Sequence, residues 1–83
     1  MKTISTVFAK KILAEYEKPC QYPFRHWCKW WLLEKHDDGF ILNECVYETM
    51  NIMHTVPVGS YRVEDGHIIQ LPDGYFSTQS DPA

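Results

Sequence analysis

Residues 23–39, PFRHWCKWWLLEKHDDG, hold all three tryptophans of the chain within five positions. The backbone state of this run decides what the rest can fold into. As a helix it starts well, because Pro23 at the first helical position gives up an N–H that would have no partner anyway. Phe24, Trp27, Cys28, Trp31 and Leu32 then share one face, with Arg25, His26, Lys29 and Leu33 opposite and Trp30 at the border. As a strand, KWWLLEK pairs across HDDG with FILNECV, and Asp-Gly between apolar runs is a strong hairpin signal. Five apolar positions at i, i+3, i+4, i+7 and i+8 favour the helix, over 24–36.

The flanking segments follow from their own signals. In TISTVFAKKILAEYEK, residues 3–18, Ile4, Val7, Phe8, Ile12 and Tyr16 fall on one half of a helical wheel, although Lys11 and Glu15 intrude. Thr3 or Ser5 can cap the start, and Pro19 ends the helix by disfavouring helical backbone before it. A third helix is predicted over 43–54, with Asn43 as N-cap, Glu44 against the positive end of the dipole and Leu42 stapled to Tyr47. Pro57 and Gly59 stop it. Asp65-Gly66 and Pro72-Asp73-Gly74 then read as turns joining strands near 60–64, 67–71 and 75–78, with Val63 opposite Ile68 and Glu64 opposite His67. The expectation is an α+β domain over 1–78, three helices then a three-stranded antiparallel meander, with a frayed tail at 79–83. That element order is also the order of a winged helix-turn-helix.

At 83 residues the chain makes one small domain, and 45% apolar with 14% aromatic residues is enough for a core. No run of 18 apolar residues exists, and the opening apolar stretch, broken by Lys10 and Lys11, is not a secretory signal. Cys20, Cys28 and Cys45 cannot all pair within one chain, so reduced thiols and a cytoplasmic location are expected. The net charge of −3 hides an asymmetry. Residues 1–36 carry seven Lys or Arg against three Glu, while 37–83 carry Arg62 against eight carboxylates. Such polarity suits a partner that feels the field, or self-association.

Chemistry-bearing motifs are sparse. His36, Asp37 and Asp38 are neighbours in sequence, which points their side chains apart, and Asp before Gly is turn chemistry. Cys20, His26, Cys28, His36 and Cys45 lack the two close pairs that announce zinc, so no metal is expected. No G-x-S-x-G, H-E-x-x-H or glycine-rich phosphate loop occurs, so neither enzyme activity nor a cofactor is expected. A winged-helix nucleic-acid-binding regulator is the alternative suggested by the element order. Its reading helix would carry Glu44 and Glu48, and its wing Glu64 and Asp65, all facing phosphates. The expected function is therefore a small protein-binding module, an accessory or inhibitory factor of the kind mobile elements encode. Its binding residues are Arg25, His26, Lys29, Trp30 and Leu33, an indole and an isobutyl group rimmed by cations. That set suits a protein partner with an acidic surface, or a second copy.

Overall fold

A computed structural model describes residues 4–48 and 52–76. Among these residues it has one helix longer than a turn, α1 (Thr6–Tyr16), and five strands: β1 (Phe24–His26), β2 (Lys29–His36), β3 (Gly39–Tyr47), β4 (Met53–Glu64) and β5 (His67–Leu71). The strands form one antiparallel sheet in chain order, β1-β2-β3-β4-β5. Three helices before a three-stranded meander are thus replaced by one helix before a five-stranded sheet, and the winged-helix order is absent.

The first helix forms over a shorter span than the expected 3–18, and Val7 of the expected apolar stripe faces solvent. Ser5 caps it, its Oγ accepting a hydrogen bond from the Phe8 N–H at 3.1 Å. Ile12 is fully buried, with Ile4, Phe8 and Tyr16 packed beside it. Glu15, one of the two intruding charges, is buried and accepts from the Lys18 ammonium at 2.9 Å. The other cap candidate, Thr3, lies outside the described residues.

Residues 24–36 are not a helix but β1, a two-residue turn at Trp27-Cys28, and β2. The helical stripe and the strand alternation are both compatible with this sequence, and pairing decides between them. Trp30, Leu32 and Glu34 lie opposite Cys45, Asn43 and Ile41, across a hairpin closed by Asp37 and Asp38. Side chains alternate along a strand, so Trp31 and Leu33 meet α1 while Trp30 and Leu32 point to the far face.

The expected third helix over 43–54 is equally overturned, since β3 runs through it and β4 follows. Gly39 to Asn43 are all buried, because this central strand is covered on both faces: Phe40 and Leu42 toward the helix, Ile41 and Asn43 away from it. Such a strand shows no clean alternation, which is why it resembles a helix in sequence. Asn43 is no cap; its amide donates to the Leu32 and Ile41 carbonyls at 3.4 Å. Pro57 is tolerated inside β4 beside the bulge that shifts the β3–β4 register between Leu42 and Asn43, on a stretch that β5 does not pair.

The β4–β5 hairpin pairs Val63 with Ile68 and Glu64 with His67 around Asp65-Gly66. Both turn residues have positive φ, 52° and 75°, the signature of a type I′ turn. The strand expected at 75–78 does not form at Tyr75 and Phe76, which have helical backbone after a turn at Asp73-Gly74, with the Tyr75 N–H donating to the Pro72 carbonyl at 3.1 Å. Residues 77–78 and the tail at 79–83 lie outside the described residues.

This geometry leaves the two faces unequally covered. An 11-residue helix is about 16 Å long and 10 Å wide, and five strands span about 19 Å. Helix α1 lies over β1 and β2. On the far face, residues 72–76 cross only the upper part, where Phe76 packs with Ile41 and Leu71. A side chain at Gly39 would overlap the Tyr61 carbonyl oxygen and press on Phe76, so only glycine lets these layers meet.

Candidate interaction surface

The β1–β2 hairpin positions the tryptophans, and it distributes them differently from a helix. Phe24 pairs with Trp31, Arg25 with Trp30 and His26 with Lys29. On the helix side, Trp31 sits against Phe8 with ring centroids 5.0 Å apart, and its Nε1–H donates to the His26 carbonyl at 3.4 Å. The His26 ring stacks on Phe8 at 4.4 Å with planes 13° apart. Two aromatic rings from α1 and β2 therefore anchor the hairpin, and its tip is left to solvent.

That tip is Trp27. Its φ is 63°, the left-handed region that a non-glycine residue enters at a cost of about 1–2 kcal/mol. The residue is 82% exposed, and its ring approaches that of His26 edge-on at 6.4 Å. A strained backbone thus presents the largest apolar side chain of the chain to water. Lys29 stands beside it, its Nζ 3.7 Å from the Glu44 carboxylate.

The five predicted binding residues do not form one surface. Arg25 and Trp30 are neighbours on the far face, both exposed. His26 and Lys29 flank the turn on the helix side. Leu33 is 3% exposed and belongs to the core under α1, so it is unavailable to a partner. Trp27, on the apolar face of the expected helix, is exposed at the hairpin tip instead, while Trp30 at 39% is partly free.

The lower far face continues Trp30 into a broader patch. Along β3 and β4 the same side carries Tyr47, Met53, Thr55 and Pro57, all exposed, over buried Asn43 and Cys45. Arg25 lies at its β1 border. At the β4 border the turn after β5 brings Asp73 beside Ile41, Pro57 and Ser60. Burial raises the Tyr61 phenol above its ordinary 10.0, and the nearby charge of Asp73 adds to the shift. Other charges on this face are already matched: Arg62 with Asp38 and Glu64 at 3.5 and 3.4 Å, and Glu34 with His36 at 3.2 Å. Among the described residues no ion pair involves Arg25 or Asp73.

Two further features complete the surface. A groove of about 640 Å³ runs between α1 and β5, lined by Ile4, Leu13, Tyr61 and Ile68 with Lys10 and His67 among its polar residues. It is the uncovered remainder of the helix side, open along its length. The three cysteines are unpaired, Cys20 and Cys28 exposed and Cys45 buried. Among the described residues no group of three His, Cys, Asp or Glu side chains converges as metal ligands, and no helix is long and apolar enough to cross a membrane.

Comparison with known protein families, curated proteins and solved structures finds no match to this chain. The residues that composition alone missed are Trp27 and Asp73. No signal in WC marks a turn with a left-handed first residue. Asp73 was legible as a turn residue but not as the far border of an apolar patch.

Proposed function

We propose that the chain is a non-enzymatic protein-binding module, an accessory or inhibitory factor that docks on its target through the tip of the β1–β2 hairpin. The observation that carries this reading is Trp27. A tryptophan in left-handed backbone costs stability and buries almost nothing in the monomer. Glycine or asparagine would close the same turn without strain. Indoles dominate binding energy when they enter a pocket on a partner. Lys29 at the base of the turn makes only a long 3.7 Å contact to Glu44 and keeps its side chain exposed, which favours a target whose pocket is rimmed by carboxylates. Three free thiols, two of them exposed, suit a reducing, cytoplasmic setting.

The test replaces Trp27 and places a photo-crosslinking amino acid at the same position. Trp27→Gly removes the indole and the strain together, so it should remain folded while target capture drops at least about thirty-fold, the loss of a 2 kcal/mol hot spot. A crosslinker at position 27 should label the same target, and one at Val7, exposed on the outer face of α1, should not. A folded Trp27→Gly protein that captures the target as well as the parent would refute the assignment.

A further inference from the structure

We infer that the lower far face of the sheet, from Arg25 across Trp30, Tyr47, Met53 and Pro57 to Asp73, binds a second copy of this chain around a twofold axis. The proposal uses a different surface from the Trp27 tip and does not depend on it.

The inference starts from coverage. A sheet face carrying Trp30 at 39%, Tyr47 at 53% and Met53 at 38% exposure, with exposed Pro57 further along β4 opposite Asn43, is an apolar patch and not scattered single side chains. Its composition, tryptophan, tyrosine, methionine and arginine without lysine, is that of an interface centre. The partner is selected by charge. Among the described residues, the patch has an unmatched cation at its β1 border, Arg25, and an unmatched carboxylate at its β4 border, Asp73. In an isologous contact residue i meets j of the partner and j meets i. A twofold axis lying in the face, perpendicular to the line from Arg25 to Asp73 and midway along it, sets each arginine opposite the other copy's aspartate. The apolar residues between them then meet one another. A surface with only Arg25 would ask for an acidic stranger; a surface with both borders occupied by opposite charges complements itself.

Size is adequate. A standard interface takes about 800 Å² from each partner, roughly an eighth of the 5991 Å² accessible surface of the chain. Packing two sheets face to face at about 10 Å is an ordinary arrangement. Trp27 stays at the end of the assembly, two indole tips per dimer, and the groove beside α1 stays on the outside.

Sedimentation equilibrium on the full chain tests the proposal, starting at roughly 100 µM, above the micromolar constants at the weak end for such interfaces. The parent should weigh twice its 9.8 kDa. Arg25→Asp and Asp73→Arg, both at exposed positions, should each weaken dimerisation at least about ten-fold, as like charges then oppose. The double exchange Arg25→Asp with Asp73→Arg should restore it, which no general loss of solubility or folding would do. Trp30→Ser should give monomer, and Trp27→Gly should leave the dimer intact. A parent that is monomeric at this concentration overturns the proposal. So does a double exchange that fails to rescue, or association that continues past two copies.

Discussion

The Phe76 ring lies flat on His36, with centroids 4.4 Å apart and planes 5° apart. Phe76 is also 1% exposed and packs over Gly39, where a side chain would press on its ring. It is the element that seals the upper far face, together with the Arg62 guanidinium, which donates to the Tyr75 hydroxyl at 3.3 Å. The second small core of Ile41, Leu71 and Phe76 depends on this one side chain.

Removing it should therefore cost as much as a central core residue, although it lies near the end of the chain. Phe76→Ala is expected to destabilise the fold by about 3 kcal/mol or more, read as a lower urea midpoint at unchanged slope. A loss below about 1 kcal/mol would mean that the segment over the far face contributes little to stability.

The sequence made the local elements legible where a single signal sufficed. Ser5 and Pro19 mark α1, and Asp65-Gly66 marks the β4–β5 register down to the residue pair. It misled where two periods fit the same letters. Phe24, Trp27, Cys28, Trp31 and Leu32 make a helical stripe, but the same residues split between a turn and the two faces of a sheet. Residues 39–43 are buried from both sides, so alternation vanishes, and Pro57 reads as a helix stop when a bulge on a half-paired strand accommodates it. The placement of the five candidate binding residues follows from the same parity. Arg25 and Trp30 stay together because a two-residue turn sets positions i and i+5 side by side, whereas Leu33, on the opposite parity from Trp30, goes to the core.

Cysteine reactivity should divide two to one. Cys20 and Cys28 are exposed, whereas Cys45 is 6% exposed, and burial, with a smaller contribution from the Glu44 carboxylate, raises its thiol above the ordinary 9.0. The thiolate is the reactive form. Iodoacetamide at pH 8 should add two adducts quickly by intact mass, and the third only after denaturant. The same shift has a consequence for folding. A proton held more tightly in the folded state means that the unfolded chain releases its proton first, so stability is intact below pH 9 and declines as pH rises beyond it. Tyr61, raised above 10.0, acts in the same sense. Cys45→Ala should flatten the first part of that decline; three equally fast adducts would contradict the burial of Cys45.

Asn43 offers the sharpest test of the central strand. Its side chain is enclosed at 5% exposure, and its NH₂ group donates to the Leu32 and Ile41 carbonyls at 3.4 Å. Asn43→Leu exchanges two long hydrogen bonds for apolar contact and should change stability by about 1 kcal/mol or less. Asn43→Asp keeps the shape but points a carboxylate at two carbonyl oxygens, with no donor of its own unless protonated. Burial and the two acceptors both favour the neutral acid, so its folded pKa rises above the unfolded value. The variant is then most stable below about pH 4, the usual carboxylate range, and loses stability as pH climbs through and past it, by about 3 kcal/mol or more at neutrality. Urea melts of the two variants at pH 4 and pH 7 distinguish them. A pH-independent Asn43→Asp protein, or one as stable as Asn43→Leu at pH 7, would show that this position is open to water and that β3 is not the covered centre of the sheet.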